Sequence, residues 1–160
     1  MNFEGKRLFI TKYDGLNFIE QLLINEQIGQ STKLVRRILS LLYDLIICDS
    51  KTFEKEDPTY VRKHVTAAQG LLMWMAARIQ IPELAKSQML DIREQILRIL
   101  MYCINFKPDL IADYQDILVK HKQALQETIQ EEKDADRREL LGREVKLVEQ
   151  VLVAKSLDVQ

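Results

Sequence analysis

The sequence predicts an all-α protein, and three observations predict it. Apolar residues recur at helical spacing in every long segment. No stretch alternates apolar and polar residues as a half-buried strand does. Helix breakers are scarce, with five glycines and three prolines in 160 residues. The clearest helix lies in the stretch RRILSLLYDLIICDS (36–50) and the residues just before it. There Leu34, Ile38, Leu41, Leu45 and Cys48 follow 4-3-4-3 spacing, one face of a helix.

The pattern divides the chain into helices near 4–12, 16–26, 32–49, 59–80, 83–105, 109–132 and 136–155. Each break has a cause. Asp57-Pro58 reads as an N-cap followed by proline at the first helical position, where the missing N–H costs nothing. Pro82 and Pro108 each follow one apolar run and precede another. Ile92, Ile96, Ile99 and Cys103 set the face of the fifth helix. Leu110, Tyr114, Ile117 or Leu118, His121, Leu125 and Ile129 set that of the sixth. Asp136 with Glu139 resembles a capping box ahead of Leu141, Val145, Val148 and Leu152. Gly142 interrupts this last helix, where glycine costs about 1 kcal/mol against alanine. A close helix–helix approach is the expected reason.

Charge excludes some partners. The 23 basic and 24 acidic residues nearly cancel, without the basic excess of a nucleic-acid binder. The longest uncharged apolar run, LLMWMAA (71–77), falls far short of the roughly 20 residues a spanning helix needs. The start, MNFEGKRLFITKYDG, carries charges where the apolar core of a signal peptide would sit. KSLDVQ is no retention address.

Nor does any arrangement suit catalysis. His64 and His121 fall on different helices with no ligand spacing around them, so neither metal nor cofactor is expected. His121 lies on an apolar stripe and reads as a partly buried structural residue; His64 reads as a helix-surface residue. No phosphate-binding glycine loop and no nucleophile elbow is present. Cys48 and Cys103 lie in apolar runs and read as buried thiols. Trp74, between two methionines, reads as core packing, with an interface anchor as the alternative. The charged run Glu127–Arg143 reads as a solvated face, with Glu139 and Arg143 paired at i,i+4.

Two segments resemble each other. At a shift of 58 residues LVRRILSLLYDLI (34–46) lies over IREQILRILMYCI (92–104), matching Leu34 with Ile92, Ile38 with Ile96, Leu39 with Leu97, Leu41 with Ile99 and Leu42 with Leu100. Upstream, GLNFIEQLL (15–23) is echoed loosely by GLLMWMAAR (70–78). A glycine-led apolar helix before a longer apolar-cored one, twice, is the pattern of a helical solenoid. The first copy resembles the armadillo repeat. That resemblance implies a right-handed solenoid of about two repeats with C-terminal capping helices. It would form one domain over 1–160, with repeat units in 4–106 and a long helix pair in 107–157. On the helix of the first copy, Leu34, Ile38, Leu41, Leu42 and Leu45 are expected to face the core, leaving Arg36, Arg37, Ser40, Tyr43 and Asp44 on flanks that reach the groove.

The form RxxSLLYDL, starting at Arg37, is similar to a helix of the Sil-type nucleotide exchange factors, armadillo-like proteins of the endoplasmic reticulum lumen that act on the chaperone BiP. GKRLFITKYDGLNFIEQLL, SQMLDIREQILRILMYCI and ELLGREVKLVEQVL resemble family segments in the same order, so the likeness runs over roughly residues 5 to 153. Family members are longer at the N-terminus, so the chain looks like the C-terminal half of such a protein or a shortened gene product. The cytosolic Fes and Hsp-binding-protein branch matches the Tyr-Asp helix less well.

The resemblance implies a monomeric, non-enzymatic co-chaperone that grips the ATPase domain of a seventy-kilodalton-class heat-shock chaperone and promotes ADP release. It acts in the endoplasmic reticulum lumen, with the cytoplasm as alternative. The partner-facing set it implies is Arg36, Arg37, Ser40, Tyr43 and Asp44, joined by repeat analogy by Arg93, Arg98 and Tyr102. The alternatives are a helical-repeat adaptor for a peptide or helix and, for Tyr43 and Asp44, a purely structural role at the core edge with Asp44 paired to a basic residue.

Overall fold

Apolar stripes at helical spacing bury themselves by laying helix on helix, and every regular element among the described residues is helical. A computed structural model describes residues 3–46, 64, 68–79 and 89–157. Asp57-Pro58, Pro82 and Cys48 lie outside these residues. The helices are α1 (Phe3–Thr11), α2 (Gly15–Ile24), a short α3 (Glu26–Gly29), α4 (Thr32–Ile46), α5 (Gln69–Ile79), α6 (Leu90–Phe106), α7 (Ile111–Glu131) and α8 (Ala135–Leu157). A single 3-10 turn, Pro108–Leu110, joins α6 to α7 with proline at its first position. The chain forms two compact units, Met1–Trp74 and Met75–Gln160, divided within α5 and upstream of the change-over expected at residue 106.

In the first unit α2 packs on α1, α3 and α4. The α1–α2 turn is tight. Asp14 adopts a left-handed backbone (φ 49°, ψ 46°), and Gly15 follows at once. A Cβ on Gly15 would run into the Phe9 ring, so glycine is required there by close approach. Among the described residues the core of this unit comes from Ile10, Leu16, Ile19, Leu23, Val35, Leu39, Leu42, Leu45, Leu71 and Leu72.

That list corrects the orientation expected for α4. Val35, Leu39, Leu42 and Leu45 are buried, whereas Leu34 is 42 % and Leu41 37 % exposed, and Ile38 is half-buried. The buried face is turned by about 60° from the expected one, at 100° per residue. The physical reason is that the apolar arc of α4 is wider than one helix interface, so periodicity leaves the choice of stripe to the packing.

In the second unit α8 packs along both α6 and α7. The link Glu132–Asp134 is three residues long, which makes α7 and α8 a helical hairpin. Asp134, two residues earlier than expected, caps α8: its Oδ1 accepts the N–H of Asp136 at 3.0 Å. Asp136 is a first-turn residue whose negative charge suits the helix N-terminus.

All of Ile92, Ile96, Leu97, Ile99, Leu100, Cys103 and Ile104 are buried on α6. At the 58-residue shift the buried residues Val35, Leu39, Leu42 and Leu45 fall on Arg93, Leu97, Leu100 and Cys103, all buried too. On α6, however, Ile92, Ile96 and Ile99 are sealed as well, where their counterparts Leu34, Ile38 and Leu41 are not. On α7 the buried residue is Leu118, with Ile117 half-buried.

Gly142 is a second correction: a Cβ there meets nothing within 4 Å. No close approach demands this glycine. Gly142→Ala should therefore raise stability by about 0.5–1 kcal/mol in urea denaturation, through the entropy and propensity terms alone. A loss of stability would show a packing constraint at that position. For α4, Leu42→Arg should cost more than about 4 kcal/mol, since it buries an unpaired charge. Leu41→Arg should leave the unfolding transition nearly in place, and the reverse ranking would mean that α4 faces the other way.

Candidate functional site: the polar face of α4 and a buried ionic link

Helix α4 separates its residues by chemistry. Arg36, Arg37, Ser40 and Asp44 are exposed, and Tyr43 is half-buried. At 100° per residue these five span an arc of about 120°, opposite the Val35–Leu39–Leu42 face. The structure therefore brings the first five expected partner residues onto one side of one helix. Lys6 of α1, itself buried, donates from Nζ to the backbone carbonyl of Asp44 at 2.7 Å, in the last described turn of α4. A basic residue does meet Asp44, then, but at its carbonyl. Burying the lysine stem against that turn ties α1 to the end of the polar face.

The three residues added by repeat analogy separate. Arg98 lies partly exposed on α6 and is bridged to Glu94 one turn earlier, at 2.7 Å. Tyr102 is half-buried. Arg93 is a correction. It is 1 % exposed and faces inward, where its guanidinium makes two parallel bonds to Glu144 of α8: Nε to Oε1 at 2.7 Å and Nη2 to Oε2 at 2.8 Å. A guanidinium in this position cannot face a partner. Sequence analogy missed this because the alignment matches helix positions and carries no information on which neighbour covers them.

His121 of α7 completes the cluster, with Nε2 2.9 Å from Glu144 Oε1. A carboxylate only accepts, so Nε2 carries the hydrogen in this bond. Three helices thus meet at one buried carboxylate, and Oε1 serves both cations or donors at once. Burial pushes the Glu144 carboxyl up, but hydrogen bonds from His121 and Arg93, with their charges, outweigh it and hold it below its ordinary 4.5. Nearby on α7, burial drives the Tyr114 hydroxyl well above its usual range, with Cys103 and Asp113 adding to the effect.

One signal in the sequence does point to the cluster. Arg93 falls in line with Leu97, Leu100 and Ile104; His121 with Tyr114, Leu118 and Leu125; Glu144 with Leu147, Val148 and Val151. Each helix sets a polar side chain within its own apolar stripe, and α7 adds the buried Thr128 one turn beyond Leu125. Only the histidine was legible as such; Arg93 and Glu144 look like surface residues until the neighbouring stripe is drawn.

Other residues have plainer places. Cys103 is a buried cysteine outside any disulfide, His64 is half-buried, and Trp74 is half-buried beside the fully buried Met75. Arg143 bridges Glu139 at 3.2 Å on an exposed face. Among the described residues no group of three His, Cys, Asp or Glu side chains is placed to hold a metal ion, and no helix is long and apolar enough to cross a membrane. Two surface hollows occur in the second unit. One, of about 550 Å³, is lined by Ile79, Asp113, Asp116, Lys120 and His121. The other, of about 310 Å³, lies between α6 and α8.

No family model, curated protein or solved structure matches the chain.

A carboxyl whose folded pKa lies below its unfolded value contributes stability that is whole above about pH 4.5 and is lost as pH falls through the folded value. Glu144→Gln should lower stability at neutral pH by about 3–5 kcal/mol, because the buried ion pair with Arg93 loses one of its two charges. It should also remove part of the acid-dependent fall. Thermal melts of both proteins from pH 7 to below pH 4 measure the two effects; parallel curves would show that Glu144 is not an ionised partner in the fold.

Proposed function

We propose that this chain is a non-catalytic protein-binding module that acts as a nucleotide exchange factor for a seventy-kilodalton-class heat-shock chaperone, with the polar face of α4 as its contact surface. The observation that carries the reading is that face itself. Arg36, Arg37, Ser40, Tyr43 and Asp44 stand together on one side of a helix whose opposite side is locked into the core. Arginine and tyrosine suit such a surface, because both give large contact area with directed hydrogen bonds. The identity of the partner rests on the resemblance of RxxSLLYDL and its neighbouring segments to the Sil-type factors. An armadillo-like, right-handed solenoid, a monomeric working form and action in the endoplasmic reticulum lumen or the cytoplasm belong to the same proposal.

The mechanism is a difference in affinity. A module that binds the open form of the ATPase domain about 3 kcal/mol more tightly than the closed form weakens nucleotide binding by roughly two orders of magnitude. No side chain of the module has to touch ADP. Arg98 and Tyr102 are secondary contact residues in this reading, and Arg93 plays no part in contact.

A helical adaptor is the second reading, and α4 itself favours it. Leu34 and Leu41 are partly exposed between the polar face and the core face, so an apolar strip borders the arginines. A partner helix or peptide with a mixed surface fits that border.

Release of a fluorescent ADP analogue from a purified chaperone ATPase domain tests the first reading. The chain should accelerate release, and Arg36→Glu with Arg37→Glu should abolish most of the acceleration while leaving the melting temperature unchanged. Release that stays at the intrinsic rate at saturating concentrations of the chain would overturn it. Capture of the ATPase domain without acceleration would favour the adaptor.

A further inference from the structure

The hollow between α6 and α8 has an ordered construction. Its described lining comes from two ridges, Leu90, Glu94 and Arg98 on α6 and Leu140, Arg143, Leu147 and Gln150 on α8, with Lys146 and Glu144 between. The first ridge follows i, i+4, i+8 spacing and the second i, i+3, i+7, i+10, so each is one face of its helix. The α8 ridge runs for about 15 Å, the length of two to three helical turns. Leu140 is 45 % exposed within it, an apolar side chain left open to water beside a buried Leu147.

Cationic side chains outnumber the exposed carboxylates along this groove. Glu144 is committed inward to Arg93 and His121. Glu94 then remains as the exposed carboxylate among the lining residues, facing Arg98, Arg143 and Lys146. Arg98 pairs with Glu94 and Arg143 with Glu139, each at i,i+4 on exposed surface. Such pairs contribute a few tenths of a kcal/mol and exchange readily for a better-placed carboxylate. Lys146 makes no ion pair with a described residue. Meanwhile the bidentate Arg93–Glu144 link pins α6 to α8 at the groove floor, so both walls are held in place before anything binds. Preorganisation of this kind spares a ligand the ordering cost.

We propose that the α6–α8 groove docks an acidic amphipathic helix of a partner protein. Leucine-class side chains of that helix would lie against Leu90, Leu140 and Leu147, and its carboxylates against Arg98, Arg143 and Lys146. This is the helix-in-groove mode, in which apolar anchors at i, i+3 or i+4 and i+7 give affinity and flanking charge gives selectivity. The groove belongs wholly to the second unit and is independent of the chaperone reading of α4.

The probe is a fluorescein-labelled synthetic helix of about 14 residues, roughly 21 Å long, with leucines at i, i+3, i+7 and glutamates flanking them. Its control carries lysine in place of every glutamate. Fluorescence anisotropy with the full chain should show binding of the acidic helix and none of the basic one. Affinity should fall as salt rises from roughly 0.1 M to 1 M, where the screening length drops from about 10 Å to about 3 Å. Arg143→Glu with Lys146→Glu should weaken binding at least about tenfold. Leu140→Asp, a change at a partly exposed position, should weaken it through the loss of the apolar anchor. Circular dichroism of each variant confirms the helical fold; should the charge reversal unfold the protein, the Leu140 variant and the salt series on the unaltered chain decide. Equal binding of acidic and basic helices, binding of neither, or affinity unmoved by these changes overturns the proposal. So does concentration-dependent self-association that the same variants abolish, since the groove would then be filled by a second copy of the chain.

Discussion

One carboxylate decides how the second half of this protein is held together. Glu144 of α8 accepts two bonds from Arg93 of α6 and one from His121 of α7, and all three side chains are buried. A charge taken out of water costs several kcal/mol, and the opposite charge repays this only with good geometry. Here the geometry is bidentate, both oxygens are used, and the histidine adds a third bond at Oε1. The link is therefore demanding rather than simply attractive.

That demand explains the contrast between the two halves. Helix α4 uses one stripe, Val35–Leu39–Leu42–Leu45, and leaves the neighbouring one partly open. Helix α6 seals both of its stripes, because α8 lies along it and Arg93 draws Glu144 inward. The open stripe and polar arc of α4 and the groove rimmed by Arg98, Arg143 and Lys146 are each left on the outside of a helix whose inner side is fixed. A surface on such a helix is placed accurately.

Electrostatics on this chain works locally. Its formal net charge is −1, too small to steer a partner over distance. Short-range pairs dominate: Glu94 with Arg98, Glu139 with Arg143 and Lys122 with Glu149 on the outside, Arg93 with Glu144 within. The outer pairs are weak and exchangeable, and the inner one is neither. The same residue type, arginine, thus has opposite roles at positions five residues apart on α6.

The helices themselves were legible from periodicity. Ile92, Ile96, Ile99 and Cys103, or Leu141, Val145 and Val148, could form one face only if the chain coiled at 3.6 residues per turn. The i,i+4 pair Glu139–Arg143 and proline at the start of the turn after α6 were equally local, and local geometry follows from neighbours in the chain. The side of α4 that turns inward was not legible, since Leu34, Ile38 and Leu41 satisfy the period as well as Val35, Leu39 and Leu42 do. The fate of Arg93 was hidden for a related reason: its partner stands 51 residues away, on a helix whose position no local rule specifies. The open space at Gly142 was hidden likewise, because a glycine within a helical pattern does not say whether anything packs over it. Spacing along the chain dictates what each helix is; contact between chain-distant side chains, Arg93 with Glu144 above all, decides which face it turns inward.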